Sequence, residues 1–335
     1  MQLKTDFKII ISRTDSIGDV VLTLPMTGRI KQKFPKSKIV FLGRDYTKDI
    51  VGLSEHVDEF VSYDDILKLN VRARIEFVQN LNADIFLHVF PQKTIADLAK
   101  YAKVPLRVGT TNRFYHWLTC NKRIKLSRKN SLLHEAQLNM KLLSFLDINT
   151  DLSIQQIGEL YGFTKIPQAN AESLTWIDKG RTNIILHPKS KGSAREWGLD
   201  NFEKLIEQLP ESKFKIFISG TKEDAEAVKP LIEKYKQLND ITGKLNLKEF
   251  IAFINAADAL VAASTGPLHI AAALGKKAIG LYAPMRPIHP GRWMPIGKQA
   301  KYLVIKKECS DCKVSMDCKC IRDISAKEIV NLLNQ

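Results

Sequence analysis

No stretch of this sequence reaches the ~20 consecutive apolar residues that a helix needs to cross a bilayer. The opening Met1–Lys8 has no long apolar run either, so no secretory signal is expected and a cytoplasmic protein is. The glycines nowhere fall into Gly-x-Gly-x-x-Gly or Gly-x-x-x-x-Gly-Lys-Ser/Thr, which argues against a dinucleotide fingerprint and a Walker loop. Cysteine is scarce, at five residues, and disulfides are not expected to hold a cytoplasmic chain together. Acid is missing from one long interval: between Tyr101 and His134 there is no Asp or Glu, while Lys103, Arg107, Arg113, Lys122, Arg123, Lys125, Arg128 and Lys129 all occur.

What is present is a globular composition, 44% hydrophobic and 26% charged, over 335 residues, a length that suits two domains rather than one core. The net charge of +15 points to an anionic partner: nucleic acid, acidic lipid headgroups or a phosphorylated substrate. The acid-free interval is either a solvated basic loop or the surface that meets that partner.

Short apolar runs alternate with helical patterns, the signature of a doubly wound parallel sheet. Strands are expected at Phe7–Ser12, Lys38–Leu42, Glu59–Tyr63 and Ala83–Val89, with helices over Val20–Phe34 and Asp64–Asn80. The pattern weakens between Asp147 and Lys179, with a linker at Ile166–Asn170, and then restarts. Strands follow at Asn183–His187, Lys213–Ser219, Ala259–Ala262 and Lys277–Leu281, with helices at Asp200–Gln208, Glu223–Lys236 and Pro267–Leu274. Two Rossmann-like halves of this kind would face a central cleft where ligands bind.

Three strand-to-helix turns carry the candidate chemistry. In Ser12–Pro25, Asp19 follows Gly18 near a helix start, where it is either an N-cap or a general base on a substrate hydroxyl. In Leu186–Trp197, the residues His187, Lys189, Ser190, Lys191 and Arg195 surround small residues that let backbone N–H groups approach phosphate. This loop is either an anion cradle or an ordinary basic loop. In Ala262–Gly275, Thr265 is a plausible N-cap, Pro267 sits in the first turn and Gly275 is a stop, so the helix N-terminus suits an anion. His269, one turn in, is either a ligand to that anion or a core histidine.

Ser-Ile-Gly-Asp-Val-Val-Leu-Thr-Leu-Pro at 16–25, His-Pro-Lys-Ser-Lys-Gly-Ser-Ala-Arg-Glu-Trp at 187–197 and Ser-Thr-Gly-Pro-Leu-His-Ile-Ala-Ala-Ala-Leu-Gly at 264–275 resemble, in order, the heptosyltransferases of lipopolysaccharide synthesis, glycosyltransferase family 9. Tyr282-Ala283-Pro284 and Gly291-Arg292-Trp293 also match that family's pattern. The resemblance implies an α/β protein of GT-B architecture: an acceptor-binding domain at 1–165, a donor-binding domain at 166–320, and a C-terminal helix at 321–335 that packs back on the first. It implies an inverting, metal-independent transfer, usually of heptose from an ADP-sugar to an anionic glycolipid, with contact at the inner membrane leaflet and no nucleic acid. Asp19 would then be the base, and Lys191 or Arg195 would hold the diphosphate. Ser264, Thr265, Gly266 and His269 would line the donor phosphates, with His187, Lys189 and Ser190 beside them and Glu223 or Asp224 on the ribose. Arg107, Arg113, Lys122 and Arg123 would meet the acceptor. Ser264 stands where the family often has Asp, a departure beside the donor sugar.

Cys309, Cys312, Cys318 and Cys320 form C-x2-C-x5-C-x-C, which suits a structural zinc, unligated thiols or disulfides; no cofactor is expected in catalysis. Two other functions fit parts of the pattern. A GT-B-type nucleotide-sugar epimerase would need no acceptor surface. A basic nucleic-acid-binding protein with a cysteine-bound metal would need exposed aromatics, as Phe114, Tyr115 and Trp117 beside Arg113 could be.

Overall fold

β-Branched and apolar runs too short for helices become strands buried on both faces, the condition of a parallel sheet. The computed structural model describes residues 5–129, 131–305, 317 and 319–335. The chain divides into two units, Met1–Lys165 and Ile166–Gln335.

The first unit holds six strands: β1 Lys8–Ser12, β2 Lys38–Gly43, β3 Glu59–Ser62, β4 Ile85–His88, β5 Leu106–Thr110 and β6 Lys122–Ile124. They pair in parallel in the order β3-β2-β1-β4-β5-β6. The strand order reverses between β1 and β4, and at such a switch point the loops leaving two neighbouring strands part and open a crevice. The turn that carries Asp19 leaves β1 at that point. Across it, Gln92 beyond β4 donates from Nε2 to Thr14 Oγ1 at 2.9 Å.

The second unit repeats the plan with β7 Thr182–His187, β8 Phe214–Ile218, β9 Asn239–Asp240, β10 Ala259–Ala263, β11 Lys277–Tyr282 and β12 Lys301–Val304. The order is β12-β11-β10-β7-β8-β9, all parallel, with the switch point between β7 and β10. The two phosphate-suited loops are those that leave β7 and β10. Sequence segments about 75 residues apart are thereby neighbours, His187 pairing in register with Ala262.

Several expected elements are redrawn by local chemistry. The helix expected over Val20–Phe34 is two, Ile17–Val21 and Pro25–Lys33, because Pro25 is at a helix start and lacks the N–H to continue the first. The helix expected over Asp64–Asn80 breaks at Leu69–Asn70, where the Asn70 side chain accepts from Ala73 N at 2.9 Å and caps a second helix, Val71–Asn80. The terminal helix Ala326–Asn334 packs within the second unit. Its Ile329 and Leu333 are buried in that unit's core with Phe202 and Ile279, and Lys277 Nζ caps its end by donating to Leu333 O at 3.0 Å.

Candidate active site

Asp19 lies in the first turn of helix Ile17–Val21, after the turn that ends β1. It does not act as the N-cap; Ser16 occupies that position, and its hydroxyl donates to Asp19 Oδ2. Asp19 Oδ1 accepts from Arg13 Nη2. Arg13 is 2% exposed and also donates from Nε to Asp15 Oδ1 at 2.7 Å and from Nη1 to Glu135 Oε1 at 3.2 Å. Glu135, itself buried, accepts from Arg128 Nε at 2.9 Å, and Arg128 Nη2 reaches Asn139 Oδ1 at 2.9 Å. Asn139 closes the network on the end of helix Ile17–Val21 by donating to Leu22 O at 3.1 Å and Thr23 Oγ1 at 3.2 Å.

Burial works against the Arg13 charge, but Asp19, Asp15 and Glu135 outweigh it and raise the guanidinium pKa, so Arg13 stays a cation. Asp15 is pushed up to about 6, first by burial and then by Asp19, with Arg13 opposing. Ser16 and Arg13 thus hold the two carboxylate oxygens of Asp19, and Arg13 supplies a buried counter-charge. Arg13, Asp15, Glu135 and Arg128 are the part of this site that sequence reasoning missed. Arg13 had one available signal, a cation at the end of a buried strand. Glu135 lies 122 residues away in the chain.

In the second unit, His187 ends β7, and its Nδ1 is 2.9 Å from Ser219 Oγ. Burial lowers its pKa to about 4, against the pull of Asp224 and Glu196, so the ring is neutral near pH 7. The following loop is tied at its base: Glu196 accepts from Lys189 Nζ at 2.5 Å and from Ser190 N at 2.9 Å, and Trp197 is buried with its Nε1 donating to Ile324 O at 3.0 Å. Its tip is different. Lys191 and Gly192 adopt left-handed backbone at φ +49° and +80°, and no described atom lies within 4 Å of where a Gly192 Cβ would project. Arg195 is half-buried in the same loop. Lys191 Nζ is 3.0 Å from Glu223 Oε2.

Glu223 and Asp224 part company here. Asp224 is buried and caps its own turn, accepting at Oδ2 from Thr221 N and Oγ1, both at 2.8 Å. Glu223 is exposed, and its pKa is lowered to about 2 by a Thr221 hydrogen bond and then by Lys191. At the end of β10, Thr265 is the N-cap residue of helix Gly266–Ala273; its side chain makes no cap bond and its buried Oγ1 has no partner among the described residues. Ser264 is half-buried and Gly266 opens the helix; His269 is buried within it.

Residues 74–320 match the family described as Glycosyltransferase family 9 (heptosyltransferase). The chain belongs to that family. A Haemophilus influenzae protein whose name stops at glycosyltransferase is 25% identical, over 88% of both chains. The lipooligosaccharide heptosyltransferase 2 of Haemophilus ducreyi is 24% identical, over 98% of this chain and 99% of its own. Among solved structures, a glycosyl transferase family 9 protein of Veillonella parvula superposes with a TM-score of 0.80 at 20% identity, covering 100% of this chain and 99% of that one. The E. coli ADP-heptose lipopolysaccharide heptosyltransferase II gives a TM-score of 0.74 at 16% identity, covering 98% and 97%. These likenesses establish the α/β GT-B fold. Family 9 is a family of glycosyl transfer, so neither the epimerase nor the nucleic-acid-binding alternative is carried forward.

The basic interval of this family 9 protein is structured, not a loop: it contains β5, β6 and helix Phe114–Thr119. Arg107 donates from Nε to Thr119 O at 2.8 Å and from Nη1 to Val104 O at 2.5 Å, which makes it a brace inside the unit. Arg123 donates to Cys120 O at 2.6 Å and lies over the Trp117 ring at 4.5 Å. Arg113 and Lys122 are exposed. Of the cysteine cluster, Cys309, Cys312 and Cys318 lie outside the described residues. Cys320 is buried in the second unit's core. Among the described residues, no group of three or more His, Cys, Asp and Glu side chains is placed to hold a metal, and no helix is long and apolar enough to span a membrane. The zinc expectation thus falls mainly on residues outside those described.

Proposed function

We propose that the chain transfers heptose from ADP-heptose to an anionic inner-core lipopolysaccharide acceptor by a single inverting displacement that needs no metal. The observation that carries the reading is the Arg13-oriented Asp19 carboxylate at the switch point of a family 9 first unit. Asp19 accepts the acceptor's hydroxyl proton as that oxygen forms a bond to the anomeric carbon. The bond from that carbon to the diphosphate oxygen breaks, and ADP departs with the electron pair. Lys191 or Arg195, with the N–H groups of helix Gly266–Ala273, takes up the charge that develops on the leaving group. Thr265 Oγ1 is available to a phosphate oxygen, the exposed Glu223 suits the ribose better than the capped Asp224, and the first unit receives the acceptor. Work at the cytoplasmic membrane face follows from a lipid-linked acceptor.

The test is thermal stabilisation by ADP, UDP, GDP and CDP. A nucleotide at ~100 times its dissociation constant adds ~2.7 kcal/mol by mass action. Selective stabilisation by ADP, weakened in Arg195→Ala, is the expected result. Selectivity for another nucleotide discards ADP-heptose but keeps transfer, and no response to any of the four removes the donor site.

A further inference from the structure

Helix Phe114–Thr119 turns its apolar side outward. Phe114 is 81% exposed, Trp117 56% and Leu118 64%. At spacings of three and four these residues share one helix face, while His116 and Thr119 are buried on the other. Single exposed apolar residues are ordinary, but three on one face of so short a helix make a patch. Its charge surroundings are of one sign. Arg113 precedes the helix and Lys122 follows it, both exposed, and Arg123 covers the Trp117 ring. The packed neighbouring helix Lys93–Tyr101 offers one acid, Asp97, already paired with Lys93 at 2.6 Å.

We infer that this face docks on an anionic lipid bilayer. Phe114 and Leu118 enter the boundary between headgroups and acyl chains, Trp117 sits at headgroup level, and Arg113 and Lys122 meet lipid phosphates. Charge complementarity selects this occupant, since a cationic rim around an apolar tip matches an anionic interface with an apolar interior. A single-stranded nucleic acid fits less well: it stacks on successive open aromatic faces, and here only Phe114 offers one, since Trp117 is covered by Arg123 and Leu118 has no ring. The same arrangement reassigns Arg113 and Lys122 from the acceptor's sugars to the membrane in which a lipid-linked acceptor lies. The inference deepens the proposed work at a membrane face by assigning the surface that makes the contact, and it rests on no step of the transfer.

The experiment is flotation of the full chain with phosphatidylcholine vesicles, with and without phosphatidylglycerol, at low and high salt. Binding is expected only to the anionic vesicles and is reversed by salt, with Trp117 quenched by brominated lipid and Trp117→Phe losing that quenching. Phe114→Ser with Leu118→Ser lowers the partition about tenfold or more, and Lys122→Glu lowers it about fivefold or more. Both variants change exposed side chains and keep the wild-type melting temperature. Anionic-vesicle binding unchanged in both variants overturns the inference, as does indifference to vesicles alongside binding of a single-stranded oligonucleotide. Flotation without any nucleotide response leaves docking standing and removes only the transferase reading; the converse removes only docking.

Discussion

In the first unit Asp19 is gripped by Arg13 inside a buried network, whereas in the second unit Lys191 and Glu223 face each other at 3.0 Å with side chains 57% and 74% exposed. Arg13, Asp19 and Lys191 follow the first strand of their Rossmann-like sheets and Glu223 follows the neighbouring β8, so similar topology holds its charges in two different ways. The difference follows from what each is proposed to do. A proton acceptor works only in one orientation, and burial with Arg13 supplies that orientation before any substrate arrives. A loop that receives a diphosphate must exchange an internal counter-ion for the ligand, which a solvated pair permits at little cost. On the proposed roles, fixed charge serves the chemistry and exchangeable charge serves binding.

That contrast breaks most visibly at Asp19. Asp19→Asn is expected to lower kcat by about 10²–10⁴-fold, the usual contribution of a positioned base, while stabilisation by ADP is unchanged. Steady-state kinetics beside a melt with ADP separates the two; a variant that loses both assigns Asp19 to folding. Arg13→Met comes next. It removes the cation from half-buried Asp19 and leaves buried Glu135 with Arg128 alone, which costs at most about 3–5 kcal/mol. Urea unfolding reads it as a lower midpoint, and Arg13→Lys, which keeps the charge but not the three-way fork, falls between.

How far the sequence reveals this design depends on whether the signal is local. The central strands β1, β2, β7, β8, β10 and β11 are legible because burial on both faces makes them continuous apolar runs. The strands that escape notice are peripheral or interrupted. β6 is Lys-Arg-Ile, β9 is two residues, β12 is a partly exposed edge, and β5 carries Arg107 and Gly109 within it. The site divides in the same way. Gly18-Asp19, the Lys191 loop and the Thr265 turn stand at strand ends and can be read in place. Glu135 and Arg128 reach Arg13 only through the fold, so no spacing rule points to them. The basic interval misleads for a related reason: composition counts Arg107 as a free cation, but carbonyls of its own unit hold its guanidinium.

A pH experiment sharpens the comparison through the neutral, buried His187 of the second unit. Its pKa is lowered from 6.5 to about 4 by burial, so folding favours the uncharged ring. The stability this contributes is complete above pH 6.5 and is lost as pH falls through about 4, a change of about 3 kcal/mol. His187→Gln is expected to flatten the fall in unfolding free energy between pH 7 and pH 4 relative to wild type. An unchanged slope means that the ring is protonated in the native state at pH 4 without penalty.

The smallest effect on stability, and the finest discrimination, belongs to the exposed pair. Lys191→Ala is expected to leave the melting temperature unchanged, because a solvated ion pair contributes little, yet to weaken ADP about tenfold by removing a charged donor to the diphosphate. Glu223→Gln then tests what the pair is for. The carboxylate is held down to about 2 by Thr221 and Lys191, so it is ionised at every working pH and competes with phosphate for Lys191 throughout. If its main effect is that competition, Glu223→Gln tightens ADP. If it instead accepts hydrogen bonds from the ribose, the amide weakens ADP, and adding Lys191→Ala weakens it further by an independent amount. Titration of ADP into the two single variants and the double variant measures the coupling between them. Its sign decides whether Glu223 is a placeholder for the diphosphate or a ligand to the nucleoside.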